Sequence, residues 1–296
     1  MGFRKTCLRK LLAAALLVGV LFMMGGCGGN EEEKASSSNE EKEYSGNLQV
    51  NGSTTVAPIA QAWAEEFMKK YPESKIVVTG TGSGDGIAAL INGTADIAMA
   101  SREMKEEEKK QFKGEKPKEL FIGTDALSVI VHPKNPIKSL TLEQLKDIYT
   151  GKITNWKELG GNDAEIIVYS RDSSSGTYEF FKEFVLEGEE YTPDARRAPS
   201  NSAVVQSVAQ EENAIGYIGL SFLNENVKGL ALSINGKELV EPSFETAASG
   251  KYPLVRKLYM YTVGDPEGLA KAFLEFGLSK DGQEIVKKVG YIPAVE

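Results

Sequence analysis

Three short stretches of this 296-residue chain are built from the side chains that cluster where a helix begins: Gly52-Ser53-Thr54-Thr55, Thr81-Gly82-Ser83-Gly84 and Arg171-Asp172-Ser173-Ser174-Ser175-Gly176-Thr177. Each follows an apolar, strand-like run and precedes an amphipathic, helix-like one. A helix start carries unpaired N–H donors and a partial positive charge, which makes it a seat for an anion. Serine and threonine add hydroxyl donors there, glycine lets the backbone come close, and arginine offers a fixed fork of N–H groups. Three such seats and one arginine suit a small tetrahedral oxyanion, which has lone pairs on every side. Each stretch also has a plainer reading. Ser53, Thr54 and Thr55 could only cap a helix, Gly80–Gly86 could be a loop without a ligand, and Arg171 could form a surface ion pair with Asp172.

The elements around these stretches alternate. Leu48–Val50 predicts a strand, and Ile59, Trp63 and Phe67 predict one apolar face of a helix ending near Tyr71-Pro72. Ile76–Val78 is strand-like, Ile87–Ile91 helical, and Asp96–Ala100 a buried strand. Met104–Phe112 reads as a charged surface helix. Phe121–Val131 is a long apolar stretch interrupted at Gly123-Thr124-Asp125. Further helices are predicted after Thr141, over Phe180–Val185, Val204–Val208, Leu269–Phe276 and Gln283–Val289. Further strands are predicted at Ile166–Tyr169, Ala214–Ile218 and Leu254–Val263. This alternation predicts an α/β fold with parallel sheets, whose ligands sit beyond the carboxyl ends of the strands.

Other chemistries find little support. His132 is the only histidine and precedes a proline. Of two cysteines, Cys7 and Cys27, neither lies beyond residue 27, which leaves no disulfide and no cysteine metal site in the body of the chain. The spacing Gly80–Gly86 is not a dinucleotide fingerprint, and no Gly-Lys-Ser/Thr phosphate loop occurs. A serine nucleophile needs a base within reach, and none is apparent, so a phosphatase or esterase is disfavoured and no cofactor or metal is expected. Trp63 and Trp156 read as packing residues, and Tyr217 as either core or cleft wall.

The N-terminus reads as a secretory signal over residues 1–26: Arg4, Lys5, Arg9 and Lys10, then the apolar run Leu11–Met24, then Gly25-Gly26-Cys27. Cys27 after small residues has the form of a bacterial lipoprotein cleavage site, with Met24 where Leu is usual; an uncleaved membrane anchor is the alternative. Either places the folded part outside the cytoplasm. Residues 27–45, rich in Glu, Lys, Ser and Asn, read as a solvated tether. Losing the four cationic residues of the signal takes the formal charge from −8 to −12. That acidity argues against nucleic acid and against long-range attraction of an anion, so the donors must act locally.

From Leu48 to the C-terminus the chain resembles the phosphate-specific substrate-binding proteins of bacterial ABC importers. Gly-Ser-Thr-Thr-Val-Ala-Pro at Gly52–Pro58 and Arg-x3-Ser-Gly-Thr at Arg171–Thr177 carry the likeness. The resemblance implies a two-lobe, type II Venus-flytrap fold with two hinge crossings. Lobe I would take residues 46–124 and 256–296, and lobe II residues 125–255. It implies phosphate contacts at Thr54, Thr55, Ser83, Arg171, Ser175, Gly176 and Thr177, with Ser53 and Arg102 as further candidates. It implies delivery of phosphate to membrane permease subunits by a monomer lipid-anchored at Cys27. One position departs: where a familiar branch has Ser-Asp, with the Asp accepting the proton of the ligand, this chain has Ser101-Arg102. Arg102 either contacts the ligand or turns away to an acid such as Glu103 or Asp85, leaving Asp85 or Asp172 as substitute acceptors. Sulfate or molybdate binding, or a sensor or adhesion role on the same fold, stays open at this point.

Overall fold

A computed structural model describes residues 43–295, except 234, 235 and 237. The signal segment, the expected lipidation site Cys27 and the tether up to residue 42 lie outside the described residues. The body opens with β1 (Gly46–Gly52), α1 (Ala57–Lys70), β2 (Ser74–Gly80), α2 (Ser83–Ile91) and β3 (Ile97–Ala100). A short α3 (Glu106–Lys109) leads into the long strand β4 (Pro117–Val131). Next come β5 (Ser139–Thr141), α4 (Leu142–Thr150), β6 (Ile167–Arg171), α5 (Gly176–Phe184), β7 (Arg196–Ala198), α6 (Asn201–Gln210) and β8 (Ala214–Gly219). The chain ends through β9 (Lys228–Gly229), β10 (Ala231–Ser233), α7 (Phe244–Ala248), β11 (Val255–Val263), α8 (Gly268–Leu278), α9 (Lys280–Lys288) and β12 (Ile292–Pro293).

The main sheet runs β2-β1-β3-β11-β4-β8-β6-β7. Its two flanks are parallel, as the alternating pattern predicts: β1 beside β2 and β3, and β6 beside β7 and β8. Its middle is not. β11 is antiparallel to both β3 and β4, and β4 is antiparallel to β8. The interruption of the apolar run at Gly123–Asp125 does not break β4, and 15 residues form one strand. The expected helix Met104–Phe112 shrinks to four residues, with Met104 buried instead of on the surface.

Separate cores lie on the two sides of this central pair. One gathers Leu48, Ile59, Trp63, Phe67, Met99 and Phe273 with Ile122 of β4 and Leu258 of β11. The other gathers Leu145, Trp156, Phe181, Ile215 and Tyr217 with Leu127 and Val129 of β4. The fold is thus a two-lobe α/β architecture, with β4 and β11 contributing to both sides. α1 shows how sequence produces it. Pro58 fits the first turn, where no N–H is needed. Ile59, Trp63 and Phe67 recur at helical spacing and are wholly or almost wholly buried, and Lys69 and Lys70 oppose the dipole at its end. Trp63 satisfies its indole by donating to the Gly282 carbonyl at 2.8 Å.

Register decides where the functional stretches end up. Gly52, the last residue of β1, lies between Gly80 of β2 and Met99 of β3. The loops that follow all three strands therefore leave one edge together. On the other side Arg171 ends β6 opposite Ala198 of β7.

Candidate functional site

The three Gly/Ser/Thr stretches meet. Ser53 hangs behind the first of them: its Oγ accepts from the N–H groups of Thr55 and Val56 at 3.2 and 3.3 Å, a cap on the approach to α1. Thr54 faces the opposite lobe, where its Oγ1 accepts from Arg171 Nη2 at 3.0 Å. Ser83 starts α2, is fully buried, and its Oγ accepts from the Ser101 N–H at 3.1 Å. Ser175 caps α5, its Oγ accepting from the Thr177 and Tyr178 N–H groups. Gly176 is pressed against the α2 start. A Cβ there would sit 2.5 Å from Ser83 Oγ and 2.7 Å from Ser101 Oγ, so only glycine permits the approach. Gly82 is tied in the same way: φ is +132° and a Cβ would meet Ser174 Oγ at 2.7 Å. The Gly84 N–H donates to the Ser174 carbonyl at 2.8 Å, stitching the second stretch to the third.

Arg171 is the electrostatic centre. It is 1 % exposed. Its Nε donates to the Ala198 carbonyl, Nη1 to Asn201 Oδ1, and Nη2 to the Pro199 carbonyl and Thr54 Oγ1, at 3.0–3.3 Å. All four acceptors are neutral, and among the described residues no carboxylate forms an ion pair with it. Burial pushes its pKa down to about 10, with the Tyr217 phenol and Asp172 working against that and Arg256 adding to it. A buried cation held only by neutral acceptors is costly unless an anion joins it. The geometry also leaves donors free. Among the described residues, nothing accepts from the N–H of Thr54, Ser83 or Gly176, which are brought together from both lobes.

Thr55 and Thr177 belong to a second layer of the same cluster. Their hydroxyls are 3.2 Å apart. Thr55 also takes a bond from Asn201 Nδ2, and both hydroxyls lie within hydrogen-bond distance of Arg256 Nη2, sharing the hydrogen that Asp125 leaves free. Arg256 in turn bonds Asp125 Oδ2 through Nε and Nη2, at 3.1 and 2.9 Å, and burial disfavours the charge on both members of that pair. The sequence reading does not single out Asn201, Ser101, Asp125 or Arg256 as site residues. Asn201 and Ser101 carry no local signal. Asp125 and Arg256 do: Asp125 is the one charge of the apolar stretch Phe121–Val131, and Arg256 is its register partner across β4 and β11.

Arg102 turns away from the cluster. It forms a two-point fork with Glu108, at 2.8 and 2.7 Å, and also donates to the Glu103 carbonyl. Its acid partner is thus neither of those expected, Glu103 or Asp85. Burial opposes its charge, but the bonds to Glu108 hold it above its ordinary pKa, and hold Glu108 below its own. Asp85 is exposed on α2 and Asp172 half-buried; neither is seated in the cluster as a substitute acceptor. Of the other conspicuous residues, Tyr217 answers both of its readings: fully buried, it accepts from the Arg171 N–H at 3.3 Å. His132 Nδ1 accepts from the Lys134 N–H. Among the described residues no group of three or more His, Cys, Asp or Glu could hold a metal ion.

Comparison with known proteins places this geometry. The model of the PBP superfamily domain matches residues 36–281. The phosphate-binding protein PstS of Pseudomonas aeruginosa is 38% identical over 269 residues, covering 84% of this chain and 83% of that protein. PstS of Bacillus subtilis is 36% identical over 253 residues, covering 85% and 82%. Among solved structures, a substrate-binding protein from Clostridium perfringens with bound phosphate superposes with a TM-score of 0.78 at 39% identity, covering 84% of this chain and all of the other.

Proposed function

The chain belongs to the PstS family of phosphate-binding proteins within the PBP superfamily, and from that premise we propose that it captures inorganic phosphate between its lobes and hands it to an ABC importer. The observation that carries this reading is Arg171: a guanidinium almost wholly buried, without a carboxylate partner among the described residues, beside three free N–H groups from helix starts in both lobes. The missing counter-charge is the ligand. We assign phosphate contacts to Thr54, Ser83, Arg171, Ser175, Gly176 and Thr177, with Thr55 acting through its hydroxyl network and Ser53 through capping. The lobe limits follow the two cores: 46–124 with 256–296, and 125–255. Closure is a hinge motion at β4 and β11.

Ser175 binds rather than attacks. Its Oγ is occupied by two backbone N–H groups, and among the described residues no base bonds to it. The sulfate and molybdate alternative, open on the residues alone, is not favoured, since the relatives are named for phosphate. Location outside the cytoplasm and a lipid anchor at Cys27 complete the reading and rest on the signal and tether composition; a monomeric state rests on the family resemblance alone. Among the described residues no helix is long and apolar enough to cross a membrane.

The test is calorimetric titration of the purified body, freed of endogenous ligand, with phosphate, sulfate and molybdate. Saturable binding of phosphate at one site per chain, with sulfate and molybdate far weaker, is the expected result. Heat from sulfate alone, or from none of the three, refutes the assignment.

A further inference from the structure

Asn201 is fully buried at the start of α6 and has partners in both lobes. On its own side, Oδ1 accepts from Arg171 Nη1 at 3.3 Å and from the Gly219 N–H at 3.2 Å. On the other side, Nδ2 donates to Thr55 Oγ1 at 3.1 Å. The amide has only this orientation. A guanidinium and a backbone N–H can only donate, so the atom facing them is the oxygen, and the nitrogen is left facing Thr55.

The part of Arg171 that Asn201 holds is the part a ligand needs. A guanidinium has five N–H donors. Nε donates to the Ala198 carbonyl, and Nη2 uses both hydrogens, on the Pro199 carbonyl and Thr54 Oγ1. Nη1 gives one hydrogen to Asn201, and among the described residues nothing accepts the other. That fifth hydrogen lies in the guanidinium plane, so its direction follows from the bond that Asn201 takes from its twin. Thr55, at the far end of the amide, belongs to the loop that carries the free Thr54 N–H. Its carbonyl accepts from the Tyr291 O–H at 2.6 Å, which ties that loop to the C-terminal part of lobe I. The bond from Asn201 to Thr55 thus joins the arginine of one lobe to the helix-start donor of the other.

We propose, resting on the phosphate reading and the lobe limits above, that Asn201 is a positioning residue for capture: it aims the free Nη1 hydrogen of Arg171 at the anion and, by donating to Thr55, ties that aim to closure of the opposite lobe. The two ends of the amide do different things. The Oδ1 bonds lie within lobe II and are present in open and closed forms alike. The Nδ2 bond runs between lobes, forms on closure and is lost on opening. Retention of the anion is the step it serves, since it exists only after the lobes have met.

The test is a double-mutant cycle of Asn201→Ala, Thr55→Val and both together. Calorimetry with phosphate gives Kd, stopped flow gives the rates, and urea unfolding without ligand gives stability. Asn201→Ala should raise Kd about tenfold or more, with most of the change in koff. In the Thr55→Val background the same substitution should raise Kd by a factor about threefold smaller or less, since the crossing bond is already gone. Lower stability with unchanged Kd would assign Asn201 to the fold and overturn the proposal. So would an effect equal in both backgrounds, or one carried by kon alone. If Asn201→Ala fails to fold, Asn201→Ser takes its place in the cycle: it keeps a buried polar atom but is too short to span Arg171 and Thr55, and the same outcomes are expected. Absence of phosphate binding by the wild type would instead sink the reading on which this rests.

Discussion

Replacing Arg171 by Met separates the fold from the site. The guanidinium carries a cost: burial lowers its pKa from the ordinary arginine value to about 10, which corresponds to about 3 kcal/mol. Below pH 10 the group is charged in both folded and unfolded chains, so this cost stands in full. It is relieved only as pH climbs above about 10, where the folded chain sheds the proton first. Against it stand four hydrogen bonds to neutral acceptors. Asn201 Oδ1 keeps the Gly219 N–H and the Ala198 carbonyl keeps the Asp172 N–H, so Pro199 is the carbonyl left without a partner, at about 1–3 kcal/mol. These effects offset one another, and Arg171→Met in the ligand-free protein should change unfolding free energy by no more than about 1–2 kcal/mol. Binding has no such offset. One remaining Nη1 hydrogen contributes about 1.5–3 kcal/mol as a charge-assisted bond, and the loss of a unit charge beside a dianion adds more. Kd should rise a hundredfold or more, about 3 kcal/mol. Urea unfolding without ligand and calorimetry with phosphate measure the two quantities. An unchanged Kd would put the anion elsewhere. Destabilisation well beyond about 3 kcal/mol would mean that Arg171 serves the fold rather than the ligand.

Gly176→Ala should leave each core intact but hold the lobes apart, because its Cβ meets Ser83 and Ser101 oxygens; small-angle scattering should show the phosphate-loaded protein failing to contract, with affinity down at least tenfold, about 1.4 kcal/mol. Asp125→Asn strands a buried guanidinium and should cost about 3–5 kcal/mol in urea unfolding. Arg102→Ala breaks a partly exposed pair with Glu108, so stability should fall by about 1 kcal/mol or less and phosphate titration should show a nearly unchanged Kd.

How far the sequence reaches is clear from the residues themselves. Thr54, Ser83 and Ser175–Thr177 were legible because helix starts announce themselves locally, through Gly, Ser and Thr after an apolar strand. Their convergence was also legible, since strand ends of an α/β sheet point one way. Thr55 looked equivalent to Thr54, with Ser53 as a further candidate, but the hydroxyl pair turns Thr55 and capping turns Ser53 from the centre, a choice made by backbone direction rather than by residue type. Asn201 and Ser101 were illegible because only tertiary placement gives them partners. Arg102 was undecidable, since its choice depends on Glu108 lying in a helix far shorter than charge patterning predicts. The antiparallel centre was hidden too. An apolar run spells a buried strand, not its direction, and β4 and β11 look like any others until their register sets Asp125 against Arg256.

That register also bears on how such a chain could be taken apart. The stretch from Leu127 to Leu254 leaves and re-enters the sheet at neighbouring points: Ala126 is opposite Val255, and the Leu127 N–H bonds the Leu254 carbonyl at 2.8 Å. Cut there, the two stumps would need only a tight turn to be rejoined, and the excised piece would keep its own termini in contact. Such a piece has the topology of a graft, one that can be lifted from its host or set into another without threading.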